Sequence, residues 1–365
     1  MIHTKVEGLT TFTSLLFIPK KAPYDLYSEK YEKGLQLYSK GVFIMDKNKQ
    51  LIGDHFRFVR GLVDSSDLSL NLSREMLQHD RQLKKIASAL EKKIKSELEK
   101  MQKSDRKLYD EFYKLYGLNL KYGIYEGYGA KKELLQDLIM FKTTTSDEYV
   151  TLKEYVERKK EDQKFIYYAS GKTKASIMSL PQMDLLKEKG YEVLLFTDEI
   201  DEFMINILMK YDDTEFKSIN QGDLDLLDKD EEKKIKKMNK DKSSLLEKIK
   251  KALGEQVSEV RFSTRLKDSP VCIVSNEGLS MEMERVLKSM PNAQANMKAE
   301  KVLEINPNHP LFQTLERVFD KNDNKIDSYA KILYNQALLI EGMELENPVE
   351  FSNLMVDLMV DANKE

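Results

Sequence analysis

The turn at positions 170–173, Ser-Gly-Lys-Thr, has the composition of the end of a phosphate-binding P-loop. Such a loop needs another glycine five positions before Gly171, because its backbone N–H groups must surround the phosphate. That position is Ile166, inside a predicted strand, so the pattern favours a turn and a helix cap. An autonomous nucleotide-binding enzyme that uses the strand–turn–helix region 164–175 is therefore the alternative hypothesis rather than the leading one.

The histidine, cysteine and carboxylate residues show no catalytic or metal-ligand spacing. The four histidines (His3, His55, His79 and His309) and the single cysteine, Cys272, form no zinc-binding motif, and one cysteine cannot form an internal disulfide. The sequence contains no serine–histidine–acid set, and no carboxylate pair stands out among its many acidic residues. We therefore predict no metal site and no self-contained enzyme.

A polar segment at 61–78 precedes a predicted helix and contains Asn71, Arg74 and Gln78. Ser73 is the candidate N-cap of the helix. It places Arg74 in the first turn, where a positive charge is mildly unfavourable against the helix dipole. An arginine at this position therefore contributes little to the stability of the fold. The spacing alone leaves two interpretations open, an ordinary surface residue and a role outside the helix.

The elements around this segment alternate between strand and helix patterns. Two β-rich runs, 11–18 and 36–45, come first. Apolar residues at three- and four-residue steps then predict a long helix over 83–101. Further helical patterns over 106–118 and 131–141 predict a small helical connector.

The second half of the chain predicts a parallel βαβ unit and then a further domain. A strand at 164–169, a helix at 183–188 and a strand at 191–196 have the spacing of that unit. The charge block at 222–239 predicts a linker or an exposed helix, and we place the main domain boundary there. Beyond it, we predict a helix closed by Gly254, two strands, and helices to the end.

Composition and charge limit the function classes. The 365 residues are 41% hydrophobic and 33% charged, and 59 basic residues nearly balance 62 acidic ones, for a formal net charge of −3. A balanced surface gives no electrostatic field that would attract nucleic acid. Neither a signal peptide nor an apolar run of about 18 residues is present. These features predict a cytoplasmic protein with no nucleic-acid or membrane partner.

The segment 63–78, with its Asn-Leu-Ser-Arg-Glu core, resembles the signature of the ninety-kilodalton heat-shock chaperone family in its bacterial branch. The stretches 16–26, 163–168, 192–202 and 304–310 are similar to the same family, in order along essentially the whole chain. The resemblance implies an α/β (α+β) fold class. Its middle domain would have two α/β/α layers and a helical connector, followed by a mixed α+β C-terminal dimerisation domain ending in helices. The implied boundaries are 1–103 for the large α/β part, 104–140 for the connector, 141–225 for the small α/β part, and 226–365 for the dimerisation domain.

The resemblance also implies roles for the polar segment. In the family, the arginine at the position of Arg74 reaches the γ-phosphate of ATP held by an N-terminal domain, and Asn71 and Gln78 support the same loop. The chain begins where the family's middle domain begins, so we expect that ATP-binding domain to be absent. Accordingly we expect no cofactor in this chain, with ATP and Mg in the full-length protein, and no ATP hydrolysis by the chain alone.

Client binding and dimerisation are implied at two helical regions. The client-binding residues would be Met281, Met283, Val286, Leu287 and Met290 on an amphipathic helix, although a core-facing stripe remains open. The terminal helices would form a homodimer interface through Leu338, Leu339, Leu354, Met355, Leu358 and Met359. Unfolded or partly folded proteins and co-chaperones are the implied partners, but not helper proteins that dock on a Met-Glu-Glu-Val-Asp tail. A purely structural dimerisation module is a third hypothesis.

Overall fold

The computed structural model describes residues 1–8, 10–68, 81–290, 297–321 and 325–362. These residues form helices and three mixed sheets, which confirms the α/β (α+β) class. The chain divides into two compact units. The first contains residues 1–141, 149–154 and 203–211, and the second contains residues 142–148, 155–202 and 212–365. The domain boundaries inferred from the resemblance stay predictions.

The first unit begins with a five-stranded sheet in the order β1-β2-β5-β3-β4. Strands β3 and β5 run parallel, and the other neighbours are antiparallel. Side chains alternate across the sheet, so Phe12, Leu16, Leu37 and Val63 are buried on one face. The strands are β1 (Ile2–Val6), β2 (Phe12–Phe17), β3 (Leu35–Ser39), β4 (Val42–Asn48) and β5 (Arg60–Ser65).

The β-rich run 36–45 contains two strands rather than one. The run is a hairpin formed by β3 and β4, with Lys40 and Gly41 at its turn. Both residues have positive φ angles, 53° and 77°. Two consecutive positive φ angles are typical of the tight turn that joins antiparallel strands.

Two long helices cover the sheet of the first unit. Helix α1 (Arg81–Ser104) confirms the predicted amphipathic helix, with Leu83, Ile86, Leu90, Ile94 and Leu98 buried. Helix α2 (Arg106–Tyr125) begins at Asp105, whose carboxylate accepts a hydrogen bond from Leu108 N at 3.1 Å.

The helix predicted at 131–141 is only partly present. Helix α3 (Lys132–Leu135) is short, and Met140 already begins β6 (Met140–Thr143). Strand β6 pairs with β7 (Val150–Thr151). Leu138, Ile139, Met140 and Phe141 are all buried, and such a short apolar run fits a buried strand as well as a helix. Helix α4 (Leu152–Arg158) follows.

The second unit contains the predicted βαβ arrangement. Strand β8 (Ile166–Ser170) runs parallel to β9 (Val193–Phe196). The intervening segment includes α5 (Lys174–Met178) and α6 (Asp184–Lys189), which ends at Gly190 with a φ of 64°. The elements that follow are α7 (Asp201–Leu208), β10 (Lys210–Tyr211) and β11 (Thr214–Ser218), and β11 runs parallel to β8 within this unit.

The remaining elements form what we call the C-terminal part, the described residues from 227 to 362. Its sheet has the order β12-β14-β13, and its core contains Ile249, Phe262, Leu303, Leu315 and Ala330. The charge block 222–239 lies partly on an exposed helix, α8. The elements are α8 (Lys229–Asp241), α9 (Ser243–Leu253), β12 (Glu259–Phe262), β13 (Val271–Ser275), α10 (Met281–Ser289), β14 (Lys301–Ile305), α11 (Pro310–Asp320), α12 (Lys325–Ile340) and α13 (Pro348–Asp361).

None of the helices in these described ranges combines the length and the apolar character needed to cross a membrane.

Candidate functional site

The predicted catalytic residues Asn71, Arg74 and Gln78 lie outside the described residues. Description of the polar segment stops at Leu68 and resumes at Arg81, where α1 begins.

The start of the polar segment is fixed to the first sheet by side-chain hydrogen bonds. The hydroxyl of Ser39 donates to the carbonyl oxygen of Leu68 at 2.6 Å, and the hydroxyl of Ser65 donates to the carbonyl oxygen of Thr11 at 2.7 Å. The backbone N–H of Thr11 in turn donates to Asp67 Oδ2 at 2.6 Å. Ser39 and Ser65 are buried, so these bonds satisfy polar groups that have left water. The aspartate and serine residues of the motif therefore hold the base of the segment.

The predicted client-binding residues do not share one exposed face. Met281 and Val286 are buried, whereas Met283 and Leu287 are half-buried and Met290 is 48% exposed. Met281 belongs to the core of the C-terminal part. The three accessible side chains have the i, i+4, i+7 spacing of one helical side.

Helix α10 is held by a cap and a buried carboxylate. Ser280 accepts a hydrogen bond from Met283 N at 3.0 Å and so fixes the first turn. The buried Glu284 carboxylate accepts from Ala299 N at 2.8 Å and lies 3.3 Å from Lys301 Nζ. This helix therefore presents its accessible apolar side chains from a fixed backbone.

The predicted dimer-interface residues differ widely in exposure. Leu338 is buried in the core and Leu339 is 49% exposed. Along α13, which has no buried residue among those described, Leu354, Met355 and Leu358 are half-buried and Met359 is 61% exposed. An apolar helix that is this poorly covered within its own chain is unusual for a monomer.

Two ion pairs connect the terminal helices. Lys331 Nζ lies 2.6 Å from Glu350 Oε1, and Lys325 Nζ lies 3.0 Å from Asp361 Oδ2. The lysines are on α12 and the carboxylates on α13, in opposite order along the two helices. The helices therefore form an antiparallel pair.

The turn after β8 leads into a small cleft that contains carboxylates. Its cavity volume is about 60 Å³, and Lys172, Glu282 and Glu341 are among the lining residues. Cofactor pockets usually enclose about 300–1,000 Å³. Helix α5, which follows the turn, has five residues. The lining also contains Arg285, so its charges balance, and the volume of the cleft is too small for a nucleotide.

A buried polar cluster that the sequence did not predict lies in the second unit. Arg265 Nε donates to Glu304 Oε2 at 3.0 Å, and Arg261 Nη2 lies 2.8 Å from Glu304 Oε1. Burial alone would raise the pKa of Glu304, but Arg265 and Arg261 outweigh burial and hold that pKa below its ordinary value. Glu304 is therefore a buried carboxylate that stays charged.

The cluster includes residues that precede α8 in the chain and residues that follow it. Arg265 Nη1 donates to the carbonyl oxygen of Ile219 at 2.8 Å. Gln182 Nε2 donates to Ile273 O at 3.0 Å, and Asn220 Nδ2 donates to Glu341 Oε2 at 2.7 Å. These bonds attach the β8–β9–β11 region to the C-terminal part within the same unit.

A second buried carboxyl group, Glu202, also joins the β8–β9–β11 region to the C-terminal part. The hydroxyls of Ser170 and Ser280 both donate to its carboxyl oxygens. Burial raises the pKa of Glu202 to about 7, although the two serine hydrogen bonds act to lower it. Because Ser280 also caps α10, Glu202 connects β8 to the helix that carries Met283 and Leu287 and that ends before Met290.

A weak sequence signal marks this cluster. Glu304 interrupts the apolar run of β14 (Lys301–Ile305), and a charged residue inside a buried strand needs a partner. The partner could not be identified from sequence, because Arg265 is 39 positions away.

Comparisons with known proteins identify the family. The sequence model described as "Hsp90 protein" matches residues 1–364. A "Chaperone protein HtpG" from Clostridium acetobutylicum is 52% identical over 358 residues. Proteins with the same name are 50% identical over 358 residues in Clostridium perfringens and 50% identical over 360 residues in Bacillus subtilis. Each alignment covers 98% of this chain and 57% of the relative. The chain therefore belongs to the Hsp90 family, and it spans little more than half the length of these relatives.

Proposed function

We propose that the chain is the client-binding and dimerising part of an ATP-dependent molecular chaperone of the heat-shock response. The observation that carries this proposal is the alignment of 98% of the chain with relatives that are each named a chaperone protein. The chain covers 57% of their length, so we assign ATP and Mg binding to the part that it does not cover.

Client contact is assigned to the accessible side of α10. Met283, Leu287 and Met290 offer apolar surface, and methionine adapts to many shapes because its side chain is flexible and polarisable. Met281 and Val286, which are buried, contribute by fixing the helix against the core rather than by touching a client. The partners are unfolded or partly folded proteins, and we place the protein in the cytoplasm together with its co-chaperones.

Homodimerisation is assigned to α12 and α13. Two antiparallel helices from each protomer would form a four-helix interface and cover the exposed Leu339 and Met359. The same interface would bury the remaining exposed surface of three half-buried residues, Leu354, Met355 and Leu358. Leu338 would support the interface from the core.

Arg74 is assigned to ATP hydrolysis in the complete protein, with Asn71 and Gln78 shaping its loop. A guanidinium offers a planar fork of N–H donors that suits phosphate oxygens. The hydrogen bonds of Ser39 and Ser65 give the base of this loop a fixed position on the first sheet. The chain alone is expected not to hydrolyse ATP, and the autonomous nucleotide-binding alternative gains no support from the 60 Å³ cleft.

The test joins the chain to the N-terminal ATP-binding domain of a close relative and measures ATP turnover. Arg74→Ala should lower kcat at least tenfold while leaving the secondary structure and the dimer unchanged. Arg81→Ala, at the exposed start of α1, is the matched control and should leave kcat within twofold. Equal turnover by the wild type and Arg74→Ala would contradict the assignment of Arg74.

A further inference from the structure

The two sides of helix α8 differ in chemistry. Ile235 and Met238 are half-buried and pack against the core of the C-terminal part. Lys234, Lys237 and Lys240 are exposed and recur at three-residue steps, which places them along one side of the helix. We call these three residues the lysine side of α8.

Positive charge is concentrated in and after this helix. Residues 233–251 contain nine lysines and two acidic residues, Asp241 and Glu247, a net charge of +7 in a chain whose formal net charge is −3. The rest of the chain is therefore net negative. Lys242 and Lys248 pair with Glu316 and Asp327, and the rest of this local excess attracts a negatively charged partner.

The lysine side has little compensating charge of its own. Lys233 and Lys236 lie 3.5 Å and 3.8 Å from Asp230 and Glu232, in exposed pairs that contribute little to stability. No ion pair joins the three residues of the lysine side to any part of the chain that the structure describes. Lys234 is attracted at longer range to Asp228, and the exposed ammonium groups of the three residues are otherwise available to a partner's carboxylates.

We propose that the lysine side of α8 is a docking surface for a short acidic polypeptide segment of a partner protein. The lysine side runs about 9 Å along the helix from Lys234 to Lys240, because each residue rises about 1.5 Å. This length matches about three residues of an extended chain. The inference goes beyond the proposed chaperone function and does not depend on it.

The surroundings of α8 favour a short peptide over a longer polyanion or a membrane. Asp230, Glu231 and Glu232 occupy the beginning of the helix, so a nucleic acid that extended past the lysines would meet negative charge. A membrane-bound helix inserts apolar side chains. In α8 these would be Ile235 and Met238, which already pack against the core.

The test measures binding of a fluorescein-labelled peptide of ten glutamates to the full chain by fluorescence anisotropy. The triple variant Lys234→Gln, Lys237→Gln, Lys240→Gln should bind at least tenfold more weakly than the wild type. The matched control Lys84→Gln, Lys85→Gln, Lys92→Gln removes the same charge from exposed positions of α1 and should bind within twofold of the wild type. Replacing the three α8 lysines by arginine should preserve binding.

Several results would overturn the proposal. One is the absence of peptide binding by the wild type; another is an equal loss in the α1 control, which would assign binding to overall charge. Tighter binding of a ten-nucleotide single strand, or of phosphatidylserine vesicles, would assign the surface to a different class of partner. Circular dichroism of each variant verifies that the overall helix content is unchanged.

Discussion

Arg265 and Glu304 form an ion pair in which both side chains are almost completely buried, with Arg265 Nε 3.0 Å from Glu304 Oε2. The same guanidinium donates to the carbonyl oxygen of Ile219, directly after β11. One side chain therefore joins the sheet of the C-terminal part to the strand that precedes it in the chain. Replacing such a pair by apolar groups can be neutral, but removing one partner leaves the other charge buried and uncompensated.

Arg265→Met should lower the free energy of unfolding of the second unit by about 3 kcal/mol, because Glu304 then loses its buried partner. Urea denaturation followed by tyrosine fluorescence measures this change. Arg261→Met, at a more exposed position, should lower the free energy of unfolding by a smaller amount, because Arg265 still compensates the charge of Glu304. The double variant Arg265→Met, Glu304→Leu should recover part of the loss. A single-variant loss below about 1 kcal/mol would count against the buried-charge explanation.

Glu202 should make the second unit more stable in mild acid. Burial raises its pKa from 4.5 to about 7, so the folded state binds the proton more tightly than the unfolded state. The stabilisation is complete below pH 4.5 and is lost as the pH rises through about 7. Between pH 5 and pH 8 the free energy of unfolding of the wild type should fall by on the order of 3 kcal/mol relative to that of Glu202→Gln.

Denaturation curves at several pH values test this prediction. Glu199→Gln removes an exposed carboxylate from the same stretch and should keep the pH dependence of the wild type. If Glu202→Gln and the wild type lose stability in parallel as the pH rises, Glu202 does not titrate as inferred.

The regular elements could be predicted because their signals are local. The apolar spacing of α1 and the strand–helix–strand order around β8 and β9 each lie within a few dozen residues, and both predictions are confirmed. The hairpin turn at Lys40 and Gly41 was missed because Lys-Gly is a weaker turn signal than Asn-Gly. The end of α3 was misplaced because residues 138–141 are a short apolar run that fits either element.

The candidate sites, too, could be predicted only as far as local sequence patterns reach. The resemblance predicted client contact at α10 and dimerisation at the terminal helices, but only the three-dimensional structure shows that Met281, Val286 and Leu338 are buried. A helical apolar stripe does not say which members are covered by another element, because that depends on contacts distant in sequence. The bond between Gln182 and Glu341, for example, spans 159 positions, and no local pattern predicts it.

Met359→Glu should weaken the dimer. Met359 is 61% exposed on α13, so the substitution has little effect on the folded protomer but introduces a charge into the proposed interface. Sedimentation equilibrium should show a dimer dissociation constant at least tenfold higher than that of the wild type. Asn353→Glu adds the same charge at an exposed polar position of the same helix and should leave the dimer intact. A dimer that tolerates Met359→Glu as well as Asn353→Glu would place the interface elsewhere.

Replacing Met283 and Met290 by serine should reduce the suppression of client aggregation. Both side chains lie on the accessible side of α10, and serine removes apolar surface while the Ser280 cap preserves the helix. Light scattering of a heat-denatured client should show at least a twofold loss of protection. The control replaces Met209, an exposed methionine of the first unit, by serine and should protect as the wild type does. Equal protection by the control and the double variant would favour a purely structural dimerisation module over client contact at this helix.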